Sequence, residues 1–436
     1  MIAQARLSRV AGLALPIIAG AMATNLMSVI DTLMVGQLGV ASVGGVGIGS
    51  QLFFLLVAVA LGLAAGVQAS VARRVGEGHV HRAGFYLNAG LLIAILAGFV
   101  LVLTGFAAFK PLFALLHDDP LLVAEGWDYL ALRLPSVLII AINVAFRAYW
   151  VGVDQARWSM VSIVGLSLSN ILFNYALIFG NLGAPQMGVA GAGLGSTLAT
   201  CVGLLINAVF AWKLARANGF LEGLPDRAPA LAMVRVSLPE SVRQVLFSLG
   251  VVLMYVLVGQ IGTQALAAFH VVISICLVAY MPHIGLAGAA TTLVGEAIGR
   301  EDLGDAKLWG WQVSWIGLIT LLTIALATAA AGSQLLALFI SDGQTAAIAG
   351  LPLLLALLAH VLDGYGKVLA AALIGAGATR LAMTRSLLPQ WLVLLPLLAL
   401  CSSLVAAMWV FVLATALTAM WLAWSWQREH WQGVRL

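Results

Sequence analysis

Apolar residues run in blocks of about twenty, parted by short polar or charged stretches. Blocks of that length cross a bilayer as helices. They predict spans near 12–36, 46–70, 84–108, 130–151, 160–180 and 188–213. A second set falls near 236–259, 270–297, 311–340, 350–373, 384–401 and 404–426. That makes twelve, with only Cys401, Ser402 and Ser403 to mark the turn between the last two. The first block follows Arg6 and Arg9 and reads as a retained helix rather than a cleavable signal.

Composition strengthens this reading. Of 436 residues 62% are hydrophobic and 9% charged, against about 25% charged in soluble domains. Mean hydropathy is +1.06. The chain is therefore expected to be an integral membrane protein with the lipid bilayer as partner. A net charge of +4 gives no reason to expect nucleic acid. Cys201, Cys276 and Cys401 all lie in apolar segments and form no C-x-x-C pair, which argues against a metal or redox role.

Basic residues gather in alternate loops, at Arg73/Arg74/Arg82, Arg157, Lys213/Arg216/Arg227/Arg235, Arg300/Lys307 and Arg380/Arg385. The intervening loops are nearly uncharged or acidic, as at Asp118/Asp119 and Asp342. By the positive-inside rule both termini are expected in the cytoplasm.

The chain repeats itself. Leu15-Pro16 returns as Leu238-Pro239, and Val35-Gly36-Gln37-Leu38-Gly39 as Val258-Gly259-Gln260-Ile261-Gly262. Gly152, Arg157 and Met160 return as Gly375, Arg380 and Met383; every pair lies 223 residues apart. The expected architecture is all-α, with twelve transmembrane helices in two six-helix parallel-repeat bundles around a central cavity. The expected division is 1–216, a linker 217–230, and 231–436. Transporters built this way hold substrate between the halves and alternate access by rocking.

Asp31 is the chemical oddity. It stands in the stretch from Leu13 to Val35, which is otherwise uncharged. An ionised Asp at the centre of a membrane helix costs roughly 2.5–3.5 kcal/mol on insertion scales. Binding a proton or cation in a cavity is one reason to retain it; serving as a hydrogen-bond hub is the other. Asn170 and Asn174, four residues apart, share one helix face. Asp363 and Lys367, also four apart, form a second charged pair, functional or structural. His270 and His360 are expected to be packing residues. Gly45 and Gly49 have the spacing of close helix contact.

At this point the chain resembles the multidrug and toxic compound extrusion (MATE) family along its whole length. The resemblance is carried by Asp31-Thr32-Leu33-Met34-Val35-Gly36-Gln37-Leu38-Gly39, Met281-Pro282-His283-Ile284-Gly285-Leu286-Ala287, Leu293-Val294-Gly295-Glu296-Ala297-Ile298-Gly299 and Asp363-Gly364. Asn170-Ile171-Leu172-Phe173-Asn174 and Gly188-Val189-Ala190-Gly191-Ala192 match as well. Short loops make it most similar to the bacterial DinF-like branch. The resemblance implies a cation- or proton-binding site of Asp31, Asn170, Asn174 and Ser196. Many members carry a second carboxylate where this chain has Asn174, which favours a proton over sodium. Where members with a cation site in the second half pair their Asp with a Glu, Phe247 stands here.

A substrate cavity is expected among Met27, Met34, Phe53, Tyr149, Phe247, Met254, Tyr255 and Tyr280, with Pro16 and Pro239 as hinges. Soft methionines and aromatic faces suit organic cations. The reading is a proton-coupled exporter of cationic or amphipathic small molecules in the bacterial inner membrane. It is expected to be a monomer, without cofactor and not an enzyme. Sodium coupling and a flippase for a lipid-linked intermediate are the alternatives. Few arginines or lysines apart from Lys367 lie in the spans, which counts against the flippase.

Overall fold

A computed structural model describes residues 4–116, 120–339 and 343–432 and is helical almost throughout. The first half holds α1 (Gln4–Gly36), α2 (Val40–Gly76), α3 (Ala83–Leu116), α4 (Pro120–Arg133), α5 (Ser136–Gly152), α6 (Ala156–Phe179) and α7 (Gly188–Phe210). The second holds α8 (Arg227–Ile261), α9 (Thr263–Tyr280), α10 (Pro282–Gly299), α11 (Leu303–Ala330), α12 (Gly332–Phe339), α13 (Gly343–Gly375), α14 (Thr379–Pro389), α15 (Leu395–Leu398) and α16 (Leu404–Gln427). Among the described residues eleven helices are long and apolar enough to cross a membrane. Helices α4 and α5 together form a twelfth span, bent by 45°. The fold is thus the expected twelve-span, all-helical one, in two lobes.

The breaks have local causes. Pro135 follows Arg133 and Leu134 and, lacking an N–H, stops α4 and bends the span. The expected span 270–297 is two helices, because Pro282 interrupts hydrogen bonding after Met281. The turn at 401–403 is where the sequence put it. Ser403 caps α16 by accepting from the Ala406 N–H at 3.3 Å. Between α14 and α15 lies one π-helical stretch, Gln390–Leu394.

The repeat is visible in the backbone. Helix α2 starts at Val40 and ends at Gly76; α9 starts at Thr263 and α10 ends at Gly299. Gly39 and Gly262, at equivalent places, have φ of 126° and 148°. Both sit in an extended positive-φ region that side chains avoid. Two residues past each helix end, Gly78 and Glu301 also match, with φ of 77° and 60°.

Packing divides the chain into two compact units. One is Ala19–Ser241; the other joins the chain up to Ile18 to Val242–Leu436. Both boundaries lie inside continuous helices, two residues beyond Pro16 in α1 and two beyond Pro239 in α8. Neither falls at the linker 217–230, and the reason is physical. Asn88 of α3 donates to the carbonyls of Gly219 (3.2 Å) and Gly223 (2.6 Å) and accepts from the Leu221 N–H at 3.1 Å. Those bonds stitch the linker to the first unit.

Within the first unit, small residues bring backbones together, as expected for helices in lipid. A Cβ at Gly45 would lie 2.8 Å from the backbone of both Leu122 and Gly126. A buried amide network ties α5 to α6 and α7. Asn207 donates to Asn143 (2.9 Å) and Ser162 (3.1 Å) and accepts from the Trp150 indole (3.2 Å).

Within the second unit, Arg6 pairs with Asp305 and donates to Gln312 at 2.9 Å, while Arg9 pairs with Glu296. These pairs hold the start of α1 to α10 and α11. At the other end Trp426 and Trp431 stack at 4.6 Å and are fully buried.

Candidate functional site

Helices α1, α6 and α7 of the first unit bring Asp31, Asn170, Asn174 and Ser196 to one place. Asn174 Nδ2 donates to Asp31 Oδ1 at 2.7 Å. Asn170 lies between Asp31 and Ser196, and its neighbours fix its amide orientation. With Nδ2 toward α1 it donates to Asp31 Oδ1 at 2.7 Å, and its oxygen accepts from the Ser196 hydroxyl at 3.0 Å. The i,i+4 spacing of the two asparagines on α6 aims both amides at one carboxylate. Asn170 and Asn174 are almost wholly buried.

One acceptor remains unused. Asn174 Oδ1 is buried without a hydrogen-bond partner. Gly195 of α7 stands so close to that oxygen that a Cβ there would collide with it. The glycine is what lets α7 approach the amide.

A cavity of about 180 Å³ opens beside the carboxylate, lined in part by Ser28, Asp31, Ser50, Tyr129, Asn174 and Ser196. Pockets for drug-sized ligands run about 300–1,000 Å³, so this one suits a few waters or a small ion. Tyr129 of α4 shares a hydrogen bond of 3.2 Å with Ser50. Next to it, the Arg133 guanidinium rides over the rings of Phe53 (4.6 Å) and Tyr129 (5.6 Å). Its field reaches Asp31.

Sequence reasoning missed Tyr129, Ser50 and Arg133. Arg133 had a signal: it stands with Arg147 inside the expected span 130–151, so basic groups in the spans are less scarce than reckoned. Arg147 makes no ion pair or hydrogen bond among the described residues.

The second unit gathers the other expected pair. Lys367 Nζ lies 3.1 Å from Asp363 Oδ2 on α13, and the Tyr280 hydroxyl donates to the same carboxylate. The Phe247 ring lies 4.2 Å beneath the ammonium. His283 stacks on Tyr280 at 3.7 Å, and His360 meets that ring edge-on. His360 Nδ1 is 2.7 Å from the Ala356 carbonyl, and the His270 ring lies beside Tyr255.

Of the expected cavity residues, Met27, Met34, Phe53 and Tyr149 lie in the first unit and Phe247, Met254, Tyr255 and Tyr280 in the second. Tyr149 is fully buried, and its hydroxyl accepts from Asn218 at 3.0 Å. Met254 belongs to the second unit's core, and Tyr255 packs against it. Phe53 belongs to a core cluster of the first unit, and Met34 packs against it. Met27 is half-buried on α1. Phe247 and Tyr280 stand at Lys367. Tyr149, Met254, Tyr255, Phe53 and Met34 are drawn into packing because a membrane helix buries apolar side chains wherever it meets another helix.

The repeat recurs in comparison with known proteins. The family model MatE matches residues 16–176 and again 239–400, each match opening on one of the paired prolines. The chain belongs to the MatE family. Among curated relatives of this transporter, a probable multidrug resistance protein NorM from Synechococcus sp. is 30% identical over 406 residues, covering 89% of this chain and 86% of that one. A multidrug resistance protein NorM from Burkholderia vietnamiensis is 27% identical, covering 87% and 84%. The multidrug resistance protein PmpM of Pseudomonas aeruginosa is 26% identical, covering 90% and 83%.

Solved structures share the fold. A multidrug resistance MATE family transporter in an outward-facing conformation superposes with a TM-score of 0.88 at 21% identity, covering 96% of this chain and 95% of that one. A MOP superfamily transporter from Pyrococcus furiosus gives 0.87 at 21% identity, with the same coverage. The chain is therefore a multi-pass membrane transporter of the multidrug efflux family.

Proposed function

We propose that this transporter is a secondary antiporter of the bacterial inner membrane. It exports cationic or amphipathic small molecules in exchange for inward protons, with Asp31 as the coupling carboxylate. The observation that carries this reading is the pairing of Asp31 with amides that serve it in both charge states. Ionised, Asp31 accepts from Asn170 and Asn174. Protonated, it needs an acceptor, and Asn174 Oδ1 is buried nearby without a donor. Turning the Asn174 amide over exchanges one bond for the other at little cost.

The proposed cycle follows. Facing outward, Asp31 takes a proton through the small cavity, and the rearranged amides favour release of the exported cation. Facing inward, it deprotonates and the amides return. Each proton that follows the membrane potential supplies about 2.3 kcal/mol per 100 mV. Pro16 and Pro239 serve as hinges, since the chain passes from one compact unit to the other two residues beyond each. Both termini are cytoplasmic, and the monomer is the working unit.

Two observations support other readings. The free oxygen of Asn174 also suits a sodium ion, a hard cation that takes oxygen ligands. The unpaired guanidinium of Arg147 suits the anionic headgroup of a lipid-linked flippase substrate. Ethidium efflux from inverted vesicles, under a pH gradient and then a sodium gradient, separates the three. Proton-driven efflux that disappears in Asp31→Asn supports the proposal. Efflux driven by sodium alone overturns the ion, and a dye that no gradient moves favours the flippase.

A further inference from the structure

The surroundings of Lys367 are those of a bound organic ammonium. A carboxylate, Asp363, lies 3.1 Å from the Nζ. Two aromatic faces complete the seat, Phe247 at 4.2 Å and Tyr280 at 5.0 Å. One negative charge with two rings is the combination that recognises alkylammonium groups. Here the ammonium belongs to the protein.

The seat is built and held from outside. The Tyr280 hydroxyl donates to Asp363, and its ring is backed by His283 stacked at 3.7 Å. The Phe247 carbonyl accepts from Gln390 Nε2 at 3.2 Å, which anchors that stretch of α8 to the π-helical turn. Gly364 packs beside the seat: a Cβ there would collide with the Leu321 side chain and meet the Tyr280 ring at an ordinary contact distance of 3.4 Å. The pair is not sealed: the Lys367 and Asp363 side chains keep 23% and 19% of their surface exposed. A flexible lysine thus has a way out.

We propose that Asp363, Phe247 and Tyr280 form a second organic-cation site, and that Lys367 is its tethered occupant. The lysine reaches the carboxylate from one helical turn away on α13. That tether gives it a high effective concentration, so a free ammonium displaces it only by competition. Removing the lysine empties the seat and leaves the carboxylate and rings in place. The site lies wholly within the second unit and does not depend on which ion drives transport.

The test is equilibrium binding of tetramethylammonium to the purified full-length chain in detergent, by calorimetry, with tert-butanol as the uncharged probe of similar shape. Lys367→Met should bind tetramethylammonium at least tenfold more tightly than wild type and should not bind tert-butanol. Lys367→Arg should bind as weakly as wild type. Lys367→Met combined with Asp363→Asn, or with Phe247→Ala, should lose the gain. Leaving a carboxylate unpaired is destabilising, so Lys367→Gln, which keeps a donor on Asp363, repeats the comparison in a milder variant. A rise in melting temperature on adding tetramethylammonium to either variant, absent in wild type, supports the site. No gain in binding and no thermal shift in Lys367→Gln would make the pair a structural ion pair and overturn the proposal. A gain that survives Asp363→Asn would overturn it too.

Discussion

Asn174 Nδ2 donates to Asp31 Oδ1 at 2.7 Å, joining α6 to α1 across 143 residues of chain. A hydrogen bond to a charged group contributes about 1.5–3 kcal/mol, so this amide helps set which form of Asp31 is preferred. Replacing it with a carboxylate tests the choice of ion. In Asn174→Asp two carboxylates share the site, and like charges so close favour either a shared proton or a bound cation. We expect sodium-driven dye efflux to appear in this variant and proton-driven efflux to weaken several-fold. Vesicle transport under each gradient reads both, and an unchanged response to sodium would count against a site poised by its charge number.

Gly195 tests the same amide from behind. A Cβ there collides with Asn174 Oδ1, whereas a Cβ at Gly36 meets nothing within 4 Å. Overpacking of this kind costs about 1–3 kcal/mol. Gly195→Ala should push the Asn174 amide off Asp31 and cut transport about tenfold or more while the protein still reaches the membrane. Gly36→Ala should transport as wild type. Equal activity of the two in the efflux assay would mean that the amide has room to spare.

What the sequence made legible was whatever repeats or keeps helical period. The 223-residue offset sits in the letters themselves, and it returns as matched helix ends and as the paired glycines 39 and 262. Asn170 and Asn174 were found because i and i+4 share a face. Contacts made across the 45° bend of the fourth span were not legible, since Tyr129 and Arg133 reach the site only once Pro135 has turned the chain. The unit boundaries were hidden for a similar reason. A proline-rich linker marks a change of chain direction, but packing is decided by contacts such as Arg9 with Glu296 and Asn88 with the linker carbonyls. Apolar and aromatic letters said least, because Tyr149 and Tyr280 look alike in sequence and only one stands beside a charge.

The paired glycines give a test of the fold. Gly39 and Gly262 precede α2 and α9 with φ of 126° and 148° and ψ of 174° and 161°. Holding a residue with a side chain in such a region costs of order 1–3 kcal/mol. Nothing lies within 4 Å of a Cβ at either position, so the cost is conformational alone. Gly39→Ala and Gly262→Ala should lower the melting temperature by similar amounts, a few degrees each. Their effects should add in the double variant, since the two sites lie in separate units. Thermal unfolding in detergent checks this, and a neutral effect at either position would show that the turn relaxes.

The end of the chain carries the last prediction. Lys307 of α11 donates to Glu429 Oε1 at 2.6 Å. That hydrogen bond comes first among the causes holding the Glu429 carboxyl below its ordinary value of 4.5. A depressed carboxyl pKa stabilises the folded form above the unfolded value, and the contribution is lost as pH falls through the folded one. The clasp should therefore hold at neutral pH and loosen only below about 4.5, where the carboxylate begins to take a proton. Trp431 reports it, because its indole donates to the Trp426 carbonyl at 3.2 Å and stacks on that ring. Lys307→Met should move the Glu429 titration up toward 4.5, as read by carboxyl carbon NMR of the labelled chain. The acid-induced change in tryptophan fluorescence should shift upward with it. Because Glu429 is exposed, the melting temperature at neutral pH should barely change, and a large drop there would assign Lys307 a role in packing instead.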